Sequence, residues 1–211
     1  MSVAGQLDPW GDTFPEALVP EILKTILSAW QRFEKPLPDA HEVPMTRRFR
    51  VALIHEKGLR RLPVRIEREV PEDDLETGEE RGRIDLKLSA AGSAREDVYL
   101  SFECKRLNVR TSGRLRSLAG AYVIDGIMRF VDARYAFGQS HAGMIGYVMD
   151  GRVEHAAMRV GSAIQRDRVL LRLSSDGLVK STILPGAEVI RETRHQLDAG
   201  LLALHHVFLA C

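Results

Sequence analysis

Between Leu62 and Met149 the apolar residues change period twice, and that change restricts the fold more than any other feature of the chain. The run LPVRIEREV places Leu62, Val64, Ile66 and Arg68 on one face and Arg65, Glu67 and Glu69 on the other. This is the alternation of a half-buried strand. Two more such runs follow, Arg83 to Ser89 and Val98 to Leu107, joined by the turn-rich AAGSARED and preceded by the acidic loop PEDDLETGEERG. The spacing then turns helical over 115–134, with Leu118, Tyr122, Ile124, Ile127, Met128 and Val131 mostly on one side. Met144 to Met149 is a short apolar run of buried-strand type. Three meandering strands and a helical crossover to a fourth imply an α/β protein with a mixed β-sheet flanked by helices.

The flanks read as additions to this core. Residues 1–14 read as a loose arm. Residues 15–35 read as a helix, capped by Asp12 or Thr13 and carrying Ile22, Leu23, Ile26, Leu27, Trp30 and Phe33 at helical spacing; Pro20 stands where it would split that helix. KPLPDAHEVP is a linker by composition. A helix then runs from about Pro44 to Gly58, its natural stop, with Phe49, Ala52 and Leu53 on one stripe. Val169 to Leu173 and Val179 to Leu184 are expected to pair as a hairpin around SSDG. Glu188 to Leu209 is expected to be a closing helix, packed on the core or serving a dimer. The domain reading is an N-terminal helical extension over 1–40 and a domain over 41–211.

Charge is segregated. The net charge of the 211 residues is only +1, yet Lys105 to Arg116 holds five bases and no acid, and Glu72 to Glu80 six acids and no base. A nucleic-acid partner would have to be held by a local patch, because proteins that coat nucleic acid are far more basic. With 45% hydrophobic and 28% charged residues the composition excludes a disordered tail, a fibre and a coiled coil. No apolar run approaches the roughly 20 residues needed to span a bilayer, so no membrane role is expected. No secretory signal is visible and two cysteines cannot make a disulfide framework, so the expected setting is reducing and cytoplasmic. The seven histidines show no ligand spacing; His205 and His206, adjacent on the expected helix, would point about 100° apart and chelate poorly. No phosphate-cradling G-x-x-x-x-G-K-[ST] loop is present.

The chemistry sits on the second and third strands. In an antiparallel hairpin centred near Ala94, Asp85 lies opposite Glu103 and Lys87 opposite Ser101. Asp85, Glu103 and Lys105 then share a face. Two carboxylates at cross-strand distance repel, so one takes a proton or a cation sits between them. Oxygen ligands with a phosphate nearby describe a magnesium site, and Lys105 reaches the same point.

At Asp85 in GRIDLKL and Glu103-Cys104-Lys105 in LSFECKRL, over roughly residues 42 to 150, the chain resembles the PD-(D/E)XK nucleases, the restriction-endonuclease-like superfamily. Ile84 stands where the eponymous proline would be, and Leu118 precedes Tyr122 by four where some members carry glutamine. The resemblance implies a restriction-endonuclease-like core and a phosphodiester hydrolase using Mg²⁺ or Mn²⁺. Asp85, Glu103 and the carbonyl of Cys104 would hold the metal, and Lys105 would act on the attacking water. A glutamate of the first core helix, Glu42 or alternatively Glu56, would complete the site. Arg106, Arg110, Arg114 and Arg116 become expected phosphate contacts, with Arg47, Arg48 and Arg50 as a second cluster. Arg129, two turns beyond Tyr122, could face the site, whereas packing is expected for Tyr122 and Tyr135. The implied partner is nucleic acid, DNA ahead of RNA, cut in bacterial defence or genome maintenance. The protein would act as a homodimer or with a partner subunit. The runner-up is a non-cleaving or partner-gated nucleic-acid-binding subunit.

Overall fold

The computed structural model describes residues 11–74 and 77–211. A seven-stranded mixed sheet runs in the order β1-β2-β3-β6-β9-β8-β7, built from β1 (Val64–Asp73), β2 (Glu80–Ala90), β3 (Leu100–Leu107), β6 (His141–Val148), β7 (Val179–Lys180), β8 (Ile190–Leu197) and β9 (Gly200–Ala210). The pairs β3–β6 and β6–β9 are parallel; the others are antiparallel. The short strands β4 (Val109–Thr111) and β5 (Arg114–Arg116) form a separate two-stranded ribbon. Helices α1 (Leu18–Arg32) and α2 (Glu42–Arg60) cover one face. A broken helix, α3 (Ala119–Tyr122), a π-turn (Val123–Ile127) and α4 (Met128–Val131), covers the other with α5 (Val153–Arg166).

Each face has its own core. On the α1–α2 side, Leu86, Phe102, Ile145, Tyr147 and Val207 of the sheet pack on Leu23, Ile26, Trp30 and Phe49. Trp30 stacks on Tyr147 at 5.5 Å between centroids and donates its indole N–H to the Ala210 carbonyl at 2.8 Å, joining α1 to the last strand. On the other side, Leu107, Met144, Val148, Leu204 and Phe208 meet Tyr122, Ile127, Val160 and Ile164. Phe102 faces Gly143 across the parallel β3–β6 ladder, and a Cβ on Gly143 would lie 2.1 Å from the Phe102 ring. Gly143→Ala is therefore expected to overpack the core by about 1–3 kcal/mol. The melting temperature should fall by roughly 2–12 °C; an unchanged thermal melt would contradict this packing.

The structure corrects several expectations. Residues 1–10 lie outside those described, but the following segment is anchored: Phe14 is buried and its N–H bonds the Gln139 side-chain oxygen at 3.2 Å. Helix α1 is continuous, because Pro20 falls in its first turn, where amides have no acceptor within the helix. Ala17, rather than Asp12 or Thr13, precedes it and caps nothing with its side chain. Helix α2 passes through Gly58 and ends at Arg61, which takes the left-handed conformation (φ 51°); Arg61 and Leu62 donate to the carbonyls of Gly58 and Lys57. The hairpin expected around SSDG does not form: Leu173 bridges to His195, and Val179–Lys180 pairs with β8. The expected helix over 188–209 is the β8–β9 hairpin. Helix α5 lies where the sequence reading places no element, and the helix expected from 115 begins at Ala119, because the preceding residues form the β4–β5 ribbon.

As strand residues, His205 and His206 point to opposite faces. His205 Nε2 meets His141 Nδ1 at 3.0 Å. His206 joins a buried chain that fixes its own tautomers. The Leu171 carbonyl can only accept, so His195 Nδ1 donates to it (2.8 Å) and His195 Nε2 must accept from Thr193 Oγ1 (2.7 Å). Thr193 then accepts from His206 Nε2 (2.9 Å), and His206 Nδ1 accepts from the Tyr122 hydroxyl (3.1 Å). Burial lowers the pKa of both His195 and His206, which favours the neutral rings this hydrogen-bonded series needs. Among the described residues no helix is long and apolar enough to cross a membrane.

Candidate active site

Strands β2 and β3 pair with Leu86 opposite Phe102, Lys87 opposite Ser101 and Leu88 opposite Leu100, the register expected from the hairpin centred near Ala94. The ladder stops one residue short of Asp85. There the Asp85 carboxylate takes over from the backbone, accepting the Cys104 N–H at 2.7 Å. Asp85 is thereby fixed beside Glu103 without occupying a ladder position.

Glu103 is 1% exposed at its side chain, and Lys105 Nζ donates to its Oε1 at 2.6 Å. Helix α2 begins at Glu42, which closes the site from the other side. Its Oε1 is 3.5 Å from Lys105 Nζ, and its Oε2 accepts the Arg106 N–H at 2.9 Å. Arg129 of α4 reaches in from the opposite layer, with Nε 3.5 Å from Glu103 Oε1 and 2.9 Å from the Asp125 carbonyl. The Tyr135 hydroxyl accepts from Arg129 and donates to the Arg83 carbonyl, tying α4 to β2 just before Asp85. The π-turn makes this approach possible at Gly126, where a Cβ would lie 2.5 Å from the Met144 methyl and 3.6 Å from Lys105 Cγ.

The electrostatics follow from burial. Burial raises the Glu103 pKa to about 7, aided by the Asp85 charge and opposed by Lys105 and Arg129. Burial also raises Asp85, against the Cys104 N–H and Lys105. For Lys105, burial acts to lower the pKa, but the Glu103, Glu42 and Asp85 charges outweigh it and leave it raised. Lys105 is a firm cation here, and Glu103 is poised between proton and cation.

The expected residues divide. Asp85, Glu103, Cys104, Lys105 and Glu42 converge. Glu56 does not: it is held by Arg32 (2.6 Å) and Arg60 (2.9 Å) toward the far end of α2, about 20 Å along the helix from Glu42. Arg106 lies next to the site, but its guanidinium is tied to the Ala40 carbonyl at 3.0 Å. Arg48 pairs with Glu34 and covers Phe33, Arg50 binds the Ile66 carbonyl, and Arg47 is exposed, so these three do not form one patch. Arg110, Arg114 and Arg116 stand on the ribbon. Tyr122 is buried in the histidine chain, as packing required. The Tyr135 hydroxyl is the feature the sequence reading missed, since no local pattern distinguishes it from a packing tyrosine.

Among the described residues no three His, Cys, Asp or Glu side chains are arranged to enclose a metal ion. Magnesium, however, is commonly held by one or two carboxylates and completed by water and phosphate. Asp85, Glu103 and the Cys104 carbonyl supply hard oxygen donors on adjacent strands, and Glu103 Oε2 is buried with no hydrogen-bond partner. A buried carboxylate oxygen without a partner is costly unless something binds it, so the donor set fits a small divalent cation. In comparisons with known proteins the chain matches no family model, no curated protein and no solved structure.

Proposed function

We propose that the protein is a metal-dependent nuclease with a restriction-endonuclease-like core, hydrolysing phosphodiester bonds of DNA. The carrying observation is the convergence of Asp85, Glu103, Lys105 and Glu42 around the partnerless buried oxygen of Glu103. Asp85, Glu103 and the Cys104 carbonyl would hold Mg²⁺ or Mn²⁺, which supplies polarisation of the phosphate and acidification of a water. Lys105, held by Glu42 and Glu103, orients that water or steadies charge on the phosphate. Arg129 sits where a phosphate oxygen beside Glu103 would meet a guanidinium.

A second reading has its own support. Lys105 Nζ at 2.6 Å already balances Glu103, which suits a subunit that holds nucleic acid without cutting it, or cuts only with a partner. Incubating the protein with plasmid, single-stranded DNA and RNA separates the two. The nuclease reading expects cutting in Mg²⁺ or Mn²⁺ that EDTA abolishes and that Lys105→Ala lowers by about 10²-fold or more. Salt-dependent binding without cutting in either metal would favour the second reading, and neither binding nor cutting would remove both.

A further inference from the structure

The β4–β5 ribbon has no evident structural purpose. It leaves the end of β3 at Asn108, a left-handed residue (φ 54°) whose side chain bonds Asp150 at 2.9 Å and whose N–H bonds the Ser117 carbonyl at 3.1 Å. Val109 pairs with Arg116, Arg110 with Leu115 and Thr111 with Arg114. The two-residue turn is Ser112-Gly113, both at positive φ (49° and 75°), which matches the natural twist of a hairpin and stiffens the tip. Val109 is buried at the base, whereas Arg110 to Arg116 are all exposed, so neither face of the ribbon beyond its base covers the core.

Its arginines are also unlike most others in the fold. Arg32, Arg60, Arg81, Arg95, Arg152 and Arg172 all bind carboxylates. The side chains of Arg110, Arg114 and Arg116 make no ion pair or hydrogen bond among the described residues. By the ladder, Arg114 and Arg116 project from one face with Thr111, and Arg110 from the other. Cations therefore stand on both faces of the ribbon, two of them beside a threonine on the same face.

We propose that this ribbon enters the major groove of double-stranded DNA and makes B-form duplex the preferred substrate, an inference that rests on the nuclease reading for its site of cutting. Two strands about 4.8 Å apart with their side chains suit a groove about 12 Å wide and not one about 6 Å wide. The major groove of duplex RNA is too narrow and deep for such a ribbon. Val109 is four positions beyond Lys105, so the base of the ribbon lies within about 14 Å of the lysine, close enough for one duplex to meet both.

The test is binding in EDTA, where no cutting occurs, of a DNA duplex, its single strand and an RNA duplex of the same sequence. The wild-type protein is compared with the triple variant Arg110→Ala, Arg114→Ala, Arg116→Ala across a salt series. Wild type should prefer the DNA duplex by about tenfold or more. Loss of three phosphate contacts should flatten the log–log salt dependence of duplex binding by about 2.7, with single-strand binding little changed. The exposed ribbon can lose these side chains without loss of fold, which a thermal melt verifies. Unchanged duplex affinity and salt slope in the triple variant, or wild-type preference for single strands or RNA, would overturn the proposal even if plasmid is cut. Conversely, ribbon-dependent duplex binding by a protein that never cuts would sustain the ribbon's role and remove the nuclease reading alone.

Discussion

Glu103→Gln is expected to lower metal-dependent cleavage by about 10²-fold or more while leaving the melting temperature at pH 7 within a few degrees of wild type. The substitution keeps the size and planar shape of a side chain that is 1% exposed, so no cavity opens. It removes one charge from a group whose burial already pushes its pKa to about 7. A neutral amide still accepts from Lys105 and still leaves Arg129 its bond to the Asp125 carbonyl. What disappears is the carboxylate that a divalent cation needs. A structural role for Glu103 predicts the reverse, a fall in stability with cleavage lost only through unfolding. Plasmid cleavage beside a thermal melt distinguishes the two, and a well-folded variant that cuts at wild-type rate would end the assignment of Glu103 to the metal.

The sequence was most informative where neighbours in space are near in sequence. Asp85 and Glu103 are joined by one hairpin; a centre near Ala94 set its register, and alternation then put the two carboxylates on one face. The β8–β9 hairpin was misread because β9 lies between β6 and β8 and is buried over most of its length, so LLALHHVFLA shows no alternation. A continuous apolar run fits helix and buried strand equally until its sheet neighbours are known. Helix α5 was missed although Ala156, Ala157, Val160, Ala163 and Ile164 recur at helical spacing, three of the five being alanines with little side chain to mark the stripe. At the site, Glu42 was a choice between two glutamates of one helix, decided only by which end of α2 meets β3. Tyr135 acts through hydrogen bonds to Arg129 and to a backbone carbonyl 52 residues away, a relation with no local pattern.

Between pH 7 and pH 5 the stability of Glu103→Gln is expected to fall by about 2 kcal/mol more than that of the wild-type protein. Burial lowers His205 to about 4 and His206 well below its ordinary value, and it also lowers His141 and His195. Glu192 and Arg194 face His205 from β8 and act in opposite directions, and Glu16 raises His141; none outweighs burial. The native chain keeps these rings neutral, as the tautomers from Tyr122 to Leu171 require, while the unfolded chain takes up protons as pH falls through about 6.5. Their stabilisation is complete above that value and is lost toward the native pKa, so His205 costs about 2 kcal/mol by pH 5 and His206 acts in the same direction. Glu103 works the other way. Its raised pKa lets the native state bind a proton between pH 7 and 4.5 that the unfolded state does not, returning about 2 kcal/mol. Asp85 and Glu72, also raised by burial, act in the same direction as Glu103. Removing Glu103's proton uptake therefore exposes the full histidine penalty. Urea unfolding at pH 7, 6 and 5 measures both slopes. Stability that stays flat in both proteins, or falls equally in both, would mean that these buried groups do not hold the protonation states their surroundings impose.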